Sequence, residues 1–153
     1  MFVGRIEARA YSRATELRER VIAAVRNILP QHMREETPLT VKRTEGQSGD
    51  SILVIETAVE NKKSCEEVIH YIVDGLSPAD RSALVSTLDQ RLDDQCTLFL
   101  RIDKQASFLG RLELPRGPDV VSIRVHLRDY PRCVREDALK TIQDWLLNVE
   151  EKA

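Results

Sequence analysis

The order of strand-like and helix-like segments constrains the fold of this chain more than any other feature of its sequence. Alternating or β-branched apolar runs predict six strands, at 2–11, 39–45, 51–60, 96–102, about 109–114 and 119–128. Apolar residues at helical spacing predict helices ending near Leu29, Gly75, Leu92 and Val149. Strand pairs linked by hairpins, with helices grouped between them, favour an α+β domain. We therefore expect a largely antiparallel sheet with helices packed on one face.

Local signals mark where these elements begin. Ser12 or Thr15 can cap the first helix, Asn61 the second, and Ser77 followed by Pro78 the third. Two glycines between the strands at 39–45 and 51–60 predict a hairpin. The second of these strands is apolar on both faces, which is typical of an interior strand.

Length and composition fit one domain spanning residues 1–153. The chain has 42% apolar and 31% charged residues, the balance of a globular protein with a well-solvated surface. Its apolar runs are too short for a membrane span, and its first residues alternate like a strand rather than forming a signal-peptide block. We expect a cytoplasmic protein without a membrane partner.

Cysteine and histidine spacing predicts neither a metal site nor a disulfide framework. Three cysteines and three histidines are scattered along the chain, and no two cysteines form a Cys-x-x-Cys pair. Cys96, at the start of a strand, is expected to be a buried packing residue. No cofactor is predicted.

The sequence contains no recognisable catalytic motif. Glycine-rich nucleotide-binding loops and the Gly-x-Ser-x-Gly elbow of hydrolases are both missing. The loop at 46–50 could hold a phosphate through its amides, but a simple hairpin turn is favoured because no lysine or helix start follows it. Asp93 and Asp94 form an acidic pair that we expect to be solvated. The chain is therefore predicted not to be an enzyme.

Positive charge is concentrated in parts of the chain although the net charge is -2. Residues 101–135 carry eight basic and four acidic side chains, and arginine supplies 17 of the 23 basic residues. Arginine suits phosphate forks and base stacking, so this distribution fits a nucleic-acid surface. An ordinary salt-bridged surface, or an arginine bias from genome composition or adaptation to heat, would give the same counts.

Strand alternation places several of these arginines on the predicted polar face of the sheet. That face would carry the side chains Arg5, Arg9, Tyr11, Phe99, Arg101, Arg124, His126 and Arg128. Arginines interleaved with aromatic rings predict RNA binding by phosphate contacts and base stacking. Two alternatives remain open. The face could be a solvent face with cross-strand ion pairs, such as Glu7 with an arginine, or Phe99 could contact a second copy.

The segment between the strands at 96–102 and 109–114 resembles an archaeal family described as exosome-subunit-like RNA-binding proteins. The match runs from Arg101 through Asp103-Lys104-Gln105-Ala106 to Leu109-Gly110. Supporting matches follow the same order along the chain: Ala14-Thr15-Glu16, Asn27 to Pro30, Glu45-Gly46-x-x-Gly49, and Val125 to Pro131. The chain departs from the family pattern at Asp50-Ser51, where an Asn-Pro pair is expected.

This resemblance implies a fold similar to that of the ribosomal protein that binds 5S rRNA. It also implies RNA binding, a link to RNA processing or degradation by the exosome, and compatibility with a homodimer. Lys104 would contact a phosphate, Gln105 a base or ribose, and Gly110 would let the chain turn. Asp103 could instead cap a short helix at 104–108. The predicted RNA-binding residues are thus Arg5, Arg9, Arg101, Lys104, Gln105, Arg124 and Arg128, and the alternative is a protein-interaction or dimerisation module.

Overall fold

Five strands and five α-helices make up the chain in the computed structural model, which describes residues 1–13, 15–45, 49 and 51–149. The strands are β1 (Phe2–Ser12), β2 (Leu39–Glu45), β3 (Ser51–Val59), β4 (Thr97–Asp103) and β5 (Val120–Arg128). The helices are α1 (Arg18–Arg26), α2 (Lys62–Gly75), α3 (Pro78–Arg91), α4 (Lys104–Phe108) and α5 (Arg135–Leu147). A short 3₁₀ turn at Gln31–Met33 follows α1.

The strands form one antiparallel sheet in the order β2-β3-β1-β5-β4. β1 lies at its centre and pairs with β3 on one side and β5 on the other. The predicted hairpin of β2 and β3 is present, and β3 is interior as its apolar residues indicated. The α+β architecture expected from the order of elements is therefore confirmed.

The helices cover one face of the sheet, and the core lies between the two layers. Alternate residues of β5 (Val121, Ile123, Val125 and Leu127) are buried, as are Leu98, Leu100 and Ile102 of β4. α1 and α2 pack on β1, and α3 packs on β4. The opposite face keeps mostly exposed or half-buried side chains and is called the open face below.

The helix starts predicted from capping residues are confirmed for α2 and α3. The side chain of Asn61 accepts a hydrogen bond from the Ser64 amide, and that of Ser77 accepts one from the Asp80 amide. The prediction for α1 is wrong, because Ser12 belongs to β1 and the helix begins only at Arg18 without a side-chain cap. Leu17 therefore precedes the helix and is exposed. Val21 and Val25, which lie within the helix, are buried.

The predicted strand at 109–114 does not form. α4 occupies 104–108, and Gly110, with φ of +84°, ends that turn in the left-handed region that favours glycine. One backbone hydrogen bond joins the following segment to β4: the Asp103 amide donates to the Glu113 carbonyl at 2.9 Å. Leu112 reaches the core from this segment, which explains the apolar pattern that predicted a strand.

Strict alternation along the sequence predicts Phe2 and Gly4 on the same face as Ile6, but an irregularity between Val3 and Arg5 changes the faces at the start of β1. The register of β1 on β5 shifts there, so Val3 is buried while Phe2 is exposed. From Ile6 onwards the predicted alternation holds. One extra residue in a strand reverses the alternation on one side of it.

A disulfide joins Cys96 to Cys133, which corrects the expectation that no cysteines pair. Their Cα atoms lie 6.3 Å apart, and the bridge ties the turn before β4 to the segment before α5. Spacing along the sequence could not reveal it, because the fold brings together residues 37 positions apart. Cys96 is fully buried, as expected. Burial raises the pKa of the remaining thiol, Cys65.

Residues 46–48 and 50 of the predicted hairpin turn, which could alternatively hold a phosphate, lie outside the described residues, as does Ala14 of the family motif. Asp93 is a turn residue: its carboxylate accepts hydrogen bonds from the amides of Gln95 and Thr97, each at 2.9 Å.

Among the described residues, no helix is long and apolar enough to cross a bilayer.

Candidate nucleic-acid interface

Three rows of side chains cross the open face at right angles to the strands. The register of the sheet aligns Glu56, Arg9, Ser122 and Arg101 in the first row. The second row is Ala58, Glu7, Arg124 and Phe99, and the third is Arg5, His126 and Thr97. Five of the seven predicted RNA-binding residues thus share this face, since Arg128 at the end of β5 continues the same alternation.

Carboxylates on the open face hold its two β1 arginines. Arg9 makes an ion pair with Glu56 at 2.9 Å. Arg5 contacts Glu60, and its Nε lies 3.4 Å from Glu7. Glu7 also meets His126 Nε2 at 2.5 Å. Ion pairs of the kind expected for the solvent-face alternative are therefore present in this half of the sheet, and they neutralise its positive charge.

The pKa values of these paired groups follow from their surroundings. Burial alone would raise the pKa of the Glu7 carboxyl, but its contacts with His126 and Arg5 outweigh burial and lower it. The pKa of Arg9 is raised, because a hydrogen bond to Tyr11 and the charge of Glu56 outweigh burial. Both groups are ionised at neutral pH, and this half of the face is close to electrically balanced.

The β4–β5 half of the open face carries free positive charge. Within the described part of the chain, no carboxylate forms an ion pair with Arg101, Arg124 or Arg128. The Arg124 guanidinium lies over the Phe99 ring, 5.5 Å from its centroid, and Phe99 is 40% exposed. A guanidinium at this distance from an aromatic ring makes a cation–π contact, and it places a cation and an apolar ring side by side on the surface.

Gly4 makes room for Arg128. A Cβ at Gly4 would lie 2.8 Å from Arg128 Cγ, so a larger residue there would push the arginine stem away. The absence of a side chain at Gly4 therefore leaves space for the stem of the outermost arginine of β5.

Lys104 of α4 is buried beside α1 and is not exposed on the open face. It is 4% exposed, and its Nζ donates to the Tyr11 carbonyl at 2.9 Å. The same nitrogen contacts the Glu16 carboxylate at 2.8 Å and the Asp119 carboxylate at 2.6 Å. An ammonium group has three N–H donors, so these contacts leave none for a phosphate. The contacts favour a structural role for Lys104.

The other residues of the Asp-Lys-Gln motif divide between structure and surface. Asp103 caps α4, since its carboxylate accepts a hydrogen bond from the Ala106 amide at 3.0 Å. Gln105 is exposed on α4, beyond the end of the sheet, in a depression shared with Arg20 and Phe108. It is therefore not part of the open face.

Three charged residues of the open face were missed by sequence reasoning, and Glu60 beside Arg5 is one of them. Glu56 neutralises Arg9, and Lys42 of β2 lies exposed beside Val54 of β3. The pairing of β1 with β3 would have revealed the first contact, because it places Arg9 opposite Glu56. In the described residues, no cluster of three or more His, Cys, Asp or Glu side chains could hold a metal ion.

Comparison with known proteins connects this geometry to a family. A family model described as RNA binding matches residues 5–127. An RNA-binding protein from Pyrococcus abyssi is 28% identical over 142 residues, which cover 92% of each chain. An uncharacterized protein from Methanocaldococcus jannaschii is 27% identical, over 90% of this chain and 93% of its own. A crystal structure of a protein from Archaeoglobus fulgidus is similar with a TM-score of 0.80 and 25% identity, covering 94% of this chain and 99% of that one.

Proposed function

The chain belongs to the RNA-binding family whose model it matches, and from that membership we propose that it binds RNA on its open face without catalysing a reaction. The observation that carries this proposal is the stack of Arg124 on Phe99, between the free arginines Arg101 and Arg128. Rings and guanidinium planes stack on unpaired bases, and arginine forks bind phosphates.

The two halves of the open face have different roles in this proposal. Arg101, Arg124 and Arg128 attract the RNA backbone, because their charge is not used within the described protein. Arg5 and Arg9 are already paired with carboxylates, so their net attraction for phosphate is weaker. The RNA strand therefore follows β4 and β5, with bases against the Arg124–Phe99 stack. Lys104 is not assigned a contact, and Gln105 contacts only RNA that extends past the end of the sheet.

Fluorescence anisotropy with labelled single-stranded and structured RNA tests the proposal. Affinity should fall steeply as salt rises, because bound phosphates release counterions. Replacing Arg101 and Arg124 by alanine should weaken binding and reduce the slope of log affinity against log salt by about 0.7 for each lost contact with a single strand. Lys140→Ala is the control for each single arginine substitution, since it removes one positive charge from an exposed site on α5.

Absence of RNA affinity at low salt would contradict the proposal. Equal effects of the Lys140 and arginine substitutions would show that only net charge matters and that the open face is not the site.

Several finer properties are proposed as well, some from the sequence alone and some from the resemblance. We propose that the RNA-binding unit spans residues 1–153, that its fold is related to that of the ribosomal protein binding 5S rRNA, and that the protein is cytoplasmic. We also propose that the RNA it binds is a substrate of processing or degradation by the exosome. Co-purification of exosome subunits in an RNA-dependent manner would support that last assignment.

A second candidate function is dimerisation or docking on another protein of an RNA-processing complex. The exposure of Phe99 on an uncovered sheet face favours it, because large apolar side chains on such faces are frequently interface residues. In that case Phe99 would be buried against protein rather than stacked on a base.

A further inference from the structure

A groove opens where the start of β1 meets the helix layer. Its sides are formed by Lys62, Glu66 and His70, one turn apart on α2, and by Thr141 and Trp145 on α5, with Phe2 above them. The groove has a volume of about 300 Å³, within the range of small-ligand sites and large enough for a nucleobase. We call it the end groove.

Two aromatic side chains border the end groove. Phe2 is 38% exposed because the irregularity in β1 turns it away from the core. Trp145 is half-buried, packed against the core on one side. Within the described residues its indole N–H makes no hydrogen bond, and it is not among the buried side-chain atoms without a partner, so solvent or a ligand can reach it. An aromatic wall with a free donor suits a base, which offers both a flat face and acceptor atoms.

The charge of the end groove also suits RNA. Lys62 Nζ lies 4.9 Å from the centroid of the Phe2 ring and makes no ion pair in the part of the chain that the structure describes. Glu66 is the carboxylate on this side, and it faces His70 at 3.8 Å. Lys62 is thus the cation available to a phosphate.

The end groove continues from the open face. Phe2 pairs in the sheet with Arg128, the outermost arginine proposed to bind RNA. From Ser122 to Arg128, β5 extends about 20 Å, at about 3.3 Å per residue. An RNA strand that follows β5 over this distance then meets Phe2. Phe2 lines the end groove together with Lys62 and Trp145.

We propose that the end groove is a nucleobase subsite, in which the RNA strand leaving the open face at Arg128 places a base against Trp145 and a phosphate on Lys62. This subsite rests on the proposed function and adds a second, separately measurable contact to it. It commits the ligand to single-stranded RNA, because a base must be unpaired and unstacked to enter the groove.

The only tryptophan of the chain reports directly on this subsite. Labelled oligoadenylate of about 12 nucleotides, within the length of known single-strand sites, is titrated while anisotropy and Trp145 fluorescence are recorded. Trp145 emission should change with the same midpoint as anisotropy. Bound RNA should also protect Trp145 from acrylamide quenching.

Lys62→Ala and Lys63→Ala form a matched pair, since both remove one lysine charge from the start of α2 but only Lys62 lines the groove. Lys62→Ala should weaken binding, lower the salt slope by about 0.7 and reduce the protection of Trp145. Lys63→Ala should leave that protection intact.

The possible failures are distinguishable. An anisotropy change without any response of Trp145, or equal effects of the two lysine substitutions, overturns the subsite and leaves RNA binding on the open face. No anisotropy change at low salt overturns both.

Discussion

Lys104 shows that the sequence can single out a residue without revealing which groups it contacts. A lysine between two apolar runs fits a phosphate contact when only its sequence neighbours are known. Its three partners come from Tyr11, Glu16 and Asp119, two segments that are distant in sequence. The caps at Asp103, Asn61 and Ser77 were predictable because each bonds an amide three residues away.

Replacing Lys104 by alanine should therefore destabilise the fold rather than remove an RNA contact. The change leaves the carboxylates of Glu16 and Asp119 without their shared cation. Loss of one partner from a buried ion pair costs about 3–5 kcal/mol, and we expect the lower part of that range because Asp119 is half exposed. Urea denaturation measures the loss, and Gln105→Ala, at an exposed neighbouring site, should cost little.

RNA binding by the folded variant separates the two roles of Lys104. Measured well below its unfolding midpoint, Lys104→Ala should keep the affinity and salt slope of the wild type. A lower salt slope with an unchanged free energy of unfolding would show that Lys104 contacts a phosphate, and it would refute the structural role.

At the scale of elements, sequence periodicity identified every strand of the sheet and four of the five helices, but it misjudged segments whose partners are not local. Leu112 packs in the core from an irregular segment, so the apolar pattern around it was interpreted as a strand. The exposed position of Phe2 depends on one extra residue in β1, which alternation cannot reveal. The pairing of Cys96 with Cys133 depends on α5 returning to the turn before β4.

The disulfide between Cys96 and Cys133 should stabilise the folded chain. A bridge closing a loop of 37 residues restricts the unfolded chain and should contribute roughly 4 kcal/mol in the chain-entropy model. Adding a reductant should lower the free energy of unfolding of the wild type, measured with urea, by up to that amount. Cys133→Ser, already without the bridge, should be less stable and insensitive to reductant. A wild type that does not respond to reductant would show that the bridge is absent in solution.

At the scale of the whole molecule, the net charge of -2 conceals a division of the open face into a balanced half and a positive half. Segment counts indicated an excess of basic residues over 101–135, and three of them, Arg101, Arg124 and Arg128, lie on β4 and β5. The counts could not predict that Glu7, Glu56 and Glu60 neutralise the β1 arginines, since this needs the register of the sheet. Half of the candidate surface was therefore predictable, and the distribution of free charge was not.

Oligomeric state is the whole-molecule property that separates the two candidate functions. If the open face binds RNA, Phe99→Ala should weaken RNA binding, with stacking losses of about 1–3 kcal/mol, and leave the mass unchanged. If the face is a dimer contact, the wild type should have twice the mass of the chain and Phe99→Ala should halve it. Light scattering coupled to size-exclusion chromatography gives the mass, and Lys140→Ala should change neither quantity.

The central position of β1 affects how the chain folds as it is made. Arg9 of β1 pairs with Glu56 on one side and with Ser122 on the other. The first edge of β1 can be paired once β3 has left the ribosome, whereas the second stays open until β5 emerges. We expect the nascent chain to carry an unprotected strand edge through most of its synthesis, a stage at which chains associate wrongly or recruit chaperones.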